Sequence, residues 1–383
     1  MTEKLFYKDP YARKFEGRVI SCEEGKKGWE VVLDKTVFYP EGGGQPGDTG
    51  YLGKTRVLDT IEREGQLIHI CDSPLEKGSA AEGRIDWERR FMLMQQHTGE
   101  HIYSGIVHRI YGYDNVGFHM GKDCITVDFN GALTWEQAIC VEKEANAVIF
   151  ADEAVSVSFP DRQELEKTEY RSKKELEGQV RIVTVPGADV CACCGLHVAG
   201  TGEAGCIKTV SLINYKGGVR IGLLIGWSAL YDYEEKTEGI RRISNLLSSK
   251  PQAVPEAVEK LYQTCQEQKQ EINGLKRQIF AMRAEQVEKG TPLIYFIEDG
   301  MTPVEARQFC DMLAERAVVA AVFSGNDENG YKYAVVSHSS DVRPIGKALA
   351  QRCMGRGGGS AELVQGSASG DSGSIEECMR LFS

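Results

Sequence analysis

Residues 87–112, WERRFMLMQQHTGEHIYSGIVHRIYG, decide how the chain is read. The stretch contains no proline and sets Met92, Gln96, His97, Ile102 and Ile106 at helical spacings. A helix here carries His97 and His101, four residues apart, on one face about one turn from each other. Two imidazoles so placed converge on one zinc ion at about 2.0–2.1 Å. Thr98 stands where a zinc peptidase carries the glutamate directly after its first histidine, so the peptidase reading is weak. A His-x-x-x-His pair also occurs by coincidence on surfaces, and a metal site needs a second half.

Upstream of Trp87 the pattern is different. GRVISCEE (17–24), GWEVVLDKTVFY (28–39), RVLDTIERE (56–64) and QLIHIC (66–71) are β-rich segments separated by Gly, Lys and Glu turns, which predicts a small barrel or sandwich over 1–86. Downstream, TWEQAICVEKEANAVIFAD (134–152) predicts a second helix with Thr134 as N-cap. Strand-like segments at 123–129, 155–159, 180–185 and 205–226 surround the two helices. Residues 87–233 therefore read as α+β, helices laid on an antiparallel sheet. Over 234–289 two apolar columns repeat every seven residues: Val254, Leu261, Leu275 and Met282 with polar Gln268, and Val258, Cys265, Ile272 and Ile279. This is an a/d seam of about four heptads, broken upstream by Pro251 and Pro255. It fits an amphipathic helix packed on its own protein, an antiparallel hairpin or a coiled-coil dimer arm. Residues 290–383 alternate β-α-β-β, then a helix and the loop GRGGGSAELVQGSASG, and predict a compact α/β terminal module.

Composition sets the class. A 383-residue chain, 42% hydrophobic and 26% charged, is long enough for several domains with cores of their own. No apolar run approaches the roughly 18 residues of a membrane helix, and the N-terminus has no apolar signal core, so the expected location is the cytoplasm. The formal net charge of −11 argues against non-specific nucleic-acid binding but not against a local basic surface.

Cysteine usage points to the second half-site. Of twelve cysteines, nine are scattered and three fall in CACCGLH, residues 191–197. Cys191 and Cys194 form a Cys-x-x-Cys, whose redox reading lacks the strand-to-helix setting such pairs occupy. Cys193 with His197, or Cys194 with His197, offers a thiolate and an imidazole. Joined to His97 and His101 these suit zinc, which accepts nitrogen and sulfur together. A third segment, FYPEGGGQPGDTG (38–50), is a Gly-rich loop whose backbone can approach a ligand closely, or a plain turn between strands.

Together, FYPEGGGQPGDTG, HTGEH and CCGLHVAGTGEAG resemble, in order and rough spacing, the editing domain of alanyl-tRNA synthetase and its free-standing AlaX relatives. GRGGGSAELVQGSASG is similar to the Gly-rich oligomerisation module that ends the synthetase and the long AlaX form. The resemblance covers essentially the whole chain, and no segment resembles an aminoacylation domain.

It implies a four-part α+β protein. The parts are a β-barrel with its Gly-rich loop (1–86), an editing domain of the threonyl/alanyl-tRNA synthetase type (87–233), a coiled-coil arm (234–289) and a Gly-rich oligomerisation and tRNA-binding module (290–383). It assigns Zn2+ to His97, His101, Cys193 and His197, and it places Gln45, with Gly43 and Gly44, facing the editing site. His119 in GFHMGKD is a further candidate base. The family pattern Cys-Gly-Gly-Thr-His is altered here, with Cys194 at the first glycine and Leu196 at the threonine. The implied activity is trans-acting hydrolysis of tRNA(Ala) mischarged with serine or glycine, by a homodimer. Candidate tRNA contacts are Arg89, Arg90, Arg343, Lys347, Arg352 and Arg356, with Lys208 and Lys216. The alternatives are a non-catalytic, zinc-stabilised tRNA-binding or dimerisation protein, and a phosphoesterase, for which the sequence has no Asp-His-His run.

Overall fold

The computed structural model describes residues 2–121, 123–172 and 180–383. The chain divides into two compact units, Met1–Arg241 and Arg242–Ser383.

In the first unit, six antiparallel strands between Lys14 and Ile85 close on themselves as a barrel. Their alternation is the two-residue strand period: in Lys14–Gly25, Phe15, Gly17 and Val19 point inward while their neighbours are exposed. Val31, Leu33, Phe38, Leu52 and Val57 fill the interior. The Gly-rich segment interrupts the strands between Thr36 and Gly50.

Helix Trp87–Tyr111 follows directly and ends on Gly112 in the left-handed conformation, φ 69°. Helix Trp135–Ala151 starts on a capping box, in which Thr134 Oγ1 accepts from Gln137 N and the Gln137 side chain accepts from Thr134 N. Both pack on a four-stranded antiparallel sheet ordered Ile207–Tyr215, Gly218–Ile225, Ile125–Phe129, Asn115–Met120. Met94, Ile102, Ile106, Val127, Val141 and Ile221 lie fully inside that core. Each such aliphatic side chain contributes about 1.5–3 kcal/mol on burial. A three-stranded sheet, Ser156–Ser158, Ile182–Val185 and Asp189–Ala192, leads into the cysteine loop. No helix among the described residues is long and apolar enough to cross a membrane.

The second unit holds helix Val254–Glu285 and a five-stranded mixed sheet. The two faces of strand Ala317–Asn326 feed separate cores. Ala321 and Phe323 meet Ile345, Leu349 and Ile375, whereas Ala320 and Val322 meet Phe309, Leu313 and Phe280. The terminal Gly-rich segment, expected as a loop, is instead a pair of antiparallel strands, Arg356–Gly359 and Leu363–Ala368. The glycines make the pairing possible: a Cβ on Gly357 would lie 2.4 Å from Gln365 O and 2.7 Å from Tyr333 Oη. Apart from buried Val254, the apolar heptad positions on helix Val254–Glu285 stay in solvent, with Val258, Leu261, Ile272, Leu275, Ile279 and Met282 all exposed.

Candidate metal centre

The four residues expected to share a metal do converge. The side-chain donor atoms of His97, His101, Cys193 and His197 all lie within 4.8 Å of one another. The three histidines are buried, and their ring centroids are 5.3, 4.6 and 4.7 Å apart. His97 and His101 project from one face of helix Trp87–Tyr111. Cys193 and His197 come from the irregular segment after strand Asp189–Ala192. That segment passes so close to the helix that a Cβ on Gly195 would lie 2.0 Å from His97 Cε1, so only glycine fits.

The neighbours of each imidazole fix its tautomer. Leu196 N, which can only donate, and His97 Nδ1 both lie 3.0 Å from Gln45 Oε1, so Nδ1 of His97 bears the proton. His101 Nδ1 lies 2.8 Å from Asp189 Oδ2, and Arg171 holds the same carboxylate by donating from Nε to Oδ1 at 2.7 Å and from Nη2 to Oδ2 at 2.8 Å. Thr98 donates its hydroxyl proton to Met94 O and accepts from Val198 N. Its contact of 3.3 Å with His197 Nδ1 therefore also requires a proton on Nδ1. All three rings turn Nε2 toward the common centre, and each is oriented by a second partner, as in metal-ligating histidines.

Two further observations fit a metal. His197 Nε2 is buried without a hydrogen-bond partner, an orphan that a cation satisfies. Cys193 Sγ lies 3.4 Å from His97 Nε2, close to the edge of a tetrahedron with a Zn–S bond of about 2.3 Å and a Zn–N bond of about 2.0–2.1 Å. Burial alone would raise the Cys193 thiol, but the charges of His97 and His101 outweigh it and hold the group well below its ordinary value, as thiolate. Burial opposes charge on His101 as well, yet the Cys193 charge and the Asp189 bond raise it well above the usual imidazole range. Burial pushes His197 down to about 3, so it is neutral. A cation bound at the centre takes the place of the His101 proton.

The Gly-rich segment closes over this cluster. Gly42 and Gln45 exchange two backbone bonds of 3.0 Å around Gly43 (φ 60°) and Gly44 (φ 83°). The paired positive angles are those of a type I′ turn. A Cβ on Gly44 would strike the Phe118 ring at 2.6 Å, and one on Gly43 would lie 3.3 Å from Cys194 Sγ. Gln45 is fully buried, and its Nε2 has no partner.

The cysteine loop is fastened from outside by groups that sequence reasoning missed. Arg181 donates to the carbonyls of Cys193 and Gly195, while Tyr7 and Tyr39 donate to that of Cys194. Nothing local marks Arg181, Asp189, Arg171, Thr98 or Phe118, because each acts across the fold.

Some candidates are not brought to the site. His119 is exposed, and the strand pleat places it opposite Phe118, whose ring lies tilted against His97 at 5.5 Å; it is no base for this centre. Arg90 is no tRNA contact. Its side chain is fully buried, ion-paired with Asp48 and donating to Pro10 O and Val37 O. Arg89 donates to Gly47 O. Lys208 pairs with Glu142, and Lys216 lies over the Tyr215 ring. Arg343, Lys347, Arg352 and Arg356 are exposed, Arg343 paired with Asp341 at 2.7 Å.

Two segments of the chain match families of the tRNA synthetases. Residues 9–89 match the family described as tRNA synthetases class II (A), and residues 180–244 match the threonyl and alanyl tRNA synthetase second additional domain. Over nearly its whole length the chain is similar to a long-form AlaX protein. The alanyl-tRNA editing protein AlaX-L of Pyrococcus horikoshii is 29% identical over 96% of this chain and 94% of its own. The alanine–tRNA ligases of Halorubrum lacusprofundi and Pyrobaculum arsenaticum are 32% and 31% identical over 95% and 99% of this chain, which spans only 42% and 44% of theirs.

Proposed function

We propose that the protein is a zinc-dependent, cytoplasmic aminoacyl-tRNA hydrolase that clears mischarged tRNA(Ala), and that it acts as a homodimer through the exposed seam of helix Val254–Glu285. The proposal keeps the four-part organisation 1–86, 87–233, 234–289 and 290–383. The observation that carries it is the cluster of three buried histidines and the half-buried Cys193 thiol facing a Gly-rich turn. Zinc held by His97, His101, Cys193 and His197 would supply an electrophile that orients the ester or the amino group of the substrate.

The chain's own groups address selectivity. Gln45 Oε1 is engaged by His97 and Leu196, so only the Nε2 donors remain for a substrate. A donor suits the serine hydroxyl oxygen, whereas alanine would leave it buried and unpaired. Glycine offers no hydroxyl either, which favours serine as the error removed. The exposed Arg343, Lys347, Arg352 and Arg356 supply local positive charge for the tRNA. Assayed at saturating zinc, wild type should deacylate seryl-tRNA(Ala) faster than glycyl-tRNA(Ala) and spare alanyl-tRNA(Ala). Gln45→Ala should narrow the serine-to-alanine ratio, and an unchanged ratio would remove Gln45 from discrimination.

A second reading draws on the four ligands themselves. A site with four protein ligands is the structural pattern, catalytic zinc keeping one position open, so the protein would be a zinc-stabilised tRNA-binding module. Tight tRNA binding with no ester loss would select it. The phosphoesterase alternative finds little support, since the two metal-capable clusters among the described residues hold a single carboxylate, Asp189.

A further inference from the structure

We infer that Gln45 is a positioning residue that ties the Gly-rich turn to the metal centre, so that metal occupancy and order in the turn rise together. The inference rests on the zinc reading above. One buried oxygen, Gln45 Oε1, accepts from both halves of the ligand set: from His97 Nδ1 on the helix and from Leu196 N in the cysteine loop, each at 3.0 Å. The backbone of the same residue closes the Gly42–Gln45 turn. Three residues later Asp48 is held by Arg90 at 2.9–3.0 Å through Nε, about two turns before His97 on the same helix. A single short segment thus meets the ligand helix at three points, Gln45 with His97, Gly47 with Arg89 and Asp48 with Arg90, and the cysteine loop at a fourth.

Removing the oxygen would leave two buried donors without an acceptor and free the His97 ring to exchange tautomers. The ring would then no longer be held with Nε2 toward the centre. Conversely, a cation that pins His97 pins the acceptor bound to it, and with it the turn.

The test uses the full chain in three forms: wild type, Gln45→Leu, which lacks any acceptor, and Gln45→Glu, which offers one to both donors. Zinc affinity is measured by competition with a chromophoric chelator, and amide exchange at Gly42 and residue 45 is followed with and without zinc. Gln45→Leu should bind zinc about 10–100-fold more weakly, and Gln45→Glu should stay near wild type. Zinc should slow exchange in the turn for wild type and Gln45→Glu but not for Gln45→Leu. Equal affinity for the leucine variant and wild type would overturn the inference. So would equal losses in both variants, which mark a packing role, or turn exchange that ignores zinc in wild type. A wild type that takes up no zinc would instead overturn the zinc reading itself.

Discussion

Arg89 and Arg90 are neighbours in sequence, yet their side chains lie in different media. Arg90 is sealed against Asp48, and that pair anchors the end of the Gly-rich segment to the histidine helix. Truncation to Met would strand a buried carboxylate, so Arg90→Met should lose about 3–5 kcal/mol of stability in denaturant titrations. A tRNA contact would show no such loss. His69 makes a second residue-level prediction. It is buried in the barrel, bonded to Thr36 and to Val31 O, and burial pushes it down to about 4. The unfolded chain, with its histidine near 6.5, binds that proton more readily. Stability from neutral His69 is therefore complete above pH 6.5 and lost as pH falls toward 4. Melting temperature should drop through that window, and His69→Gln should flatten the drop even if its melt at pH 7.5 is lower. At this scale the histidine pair was legible because residue spacing alone puts His97 beside His101, whereas spacing left Cys193 and Cys194 as alternatives and the resemblance chose between them. The roles of Asp189, Thr98 and Gln45 were not, since tautomers are set by neighbours 52 to 99 residues away in the chain. His119 failed for want of strand parity.

Elements behave differently. Helices were readable from periodicity and caps, and Thr134 with Gln137 forms the box its position invites. The terminal GRGGGS stretch misled because glycine is ordinarily a loop signal. Here its missing side chain is what lets two strands and the Tyr333 hydroxyl crowd together. The turn at 42–45 uses glycine in the other way, for its positive φ. Gly44→Ala combines a left-handed φ with a 2.6 Å contact to Phe118. It should weaken the turn and slow deacylation more than Gly53→Ala, which has the same kind of φ but open space. Helix Val254–Glu285, about 48 Å long at 1.5 Å per residue, leaves its heptad columns exposed over most of that length. If a second copy covers them, the double variant Leu261→Glu and Leu275→Glu should run as a monomer in light scattering while its circular dichroism stays helical. A wild-type monomer at working concentration would remove the dimer from the proposal.

For the whole molecule, the division of labour follows from where charge and burial fall. A chain of net charge −11 has to meet an anionic substrate through local surface, and its exposed arginines and lysine at 343–356 lie in the unit that does not hold the metal cluster. Charge reversal there should weaken tRNA binding and leave zinc content untouched. The chemistry is assigned instead to a centre with three oriented imidazoles and a thiolate, and the direct test is made on one preparation in two states. Zinc-loaded and chelator-stripped protein are each incubated with seryl-tRNA(Ala), and free serine is followed with time. The expected result is rapid serine release by the loaded protein, loss of release on stripping, and recovery when one equivalent of zinc is returned. Release that is equally fast after stripping, or an ester that survives the loaded protein, would contradict a catalytic metal centre.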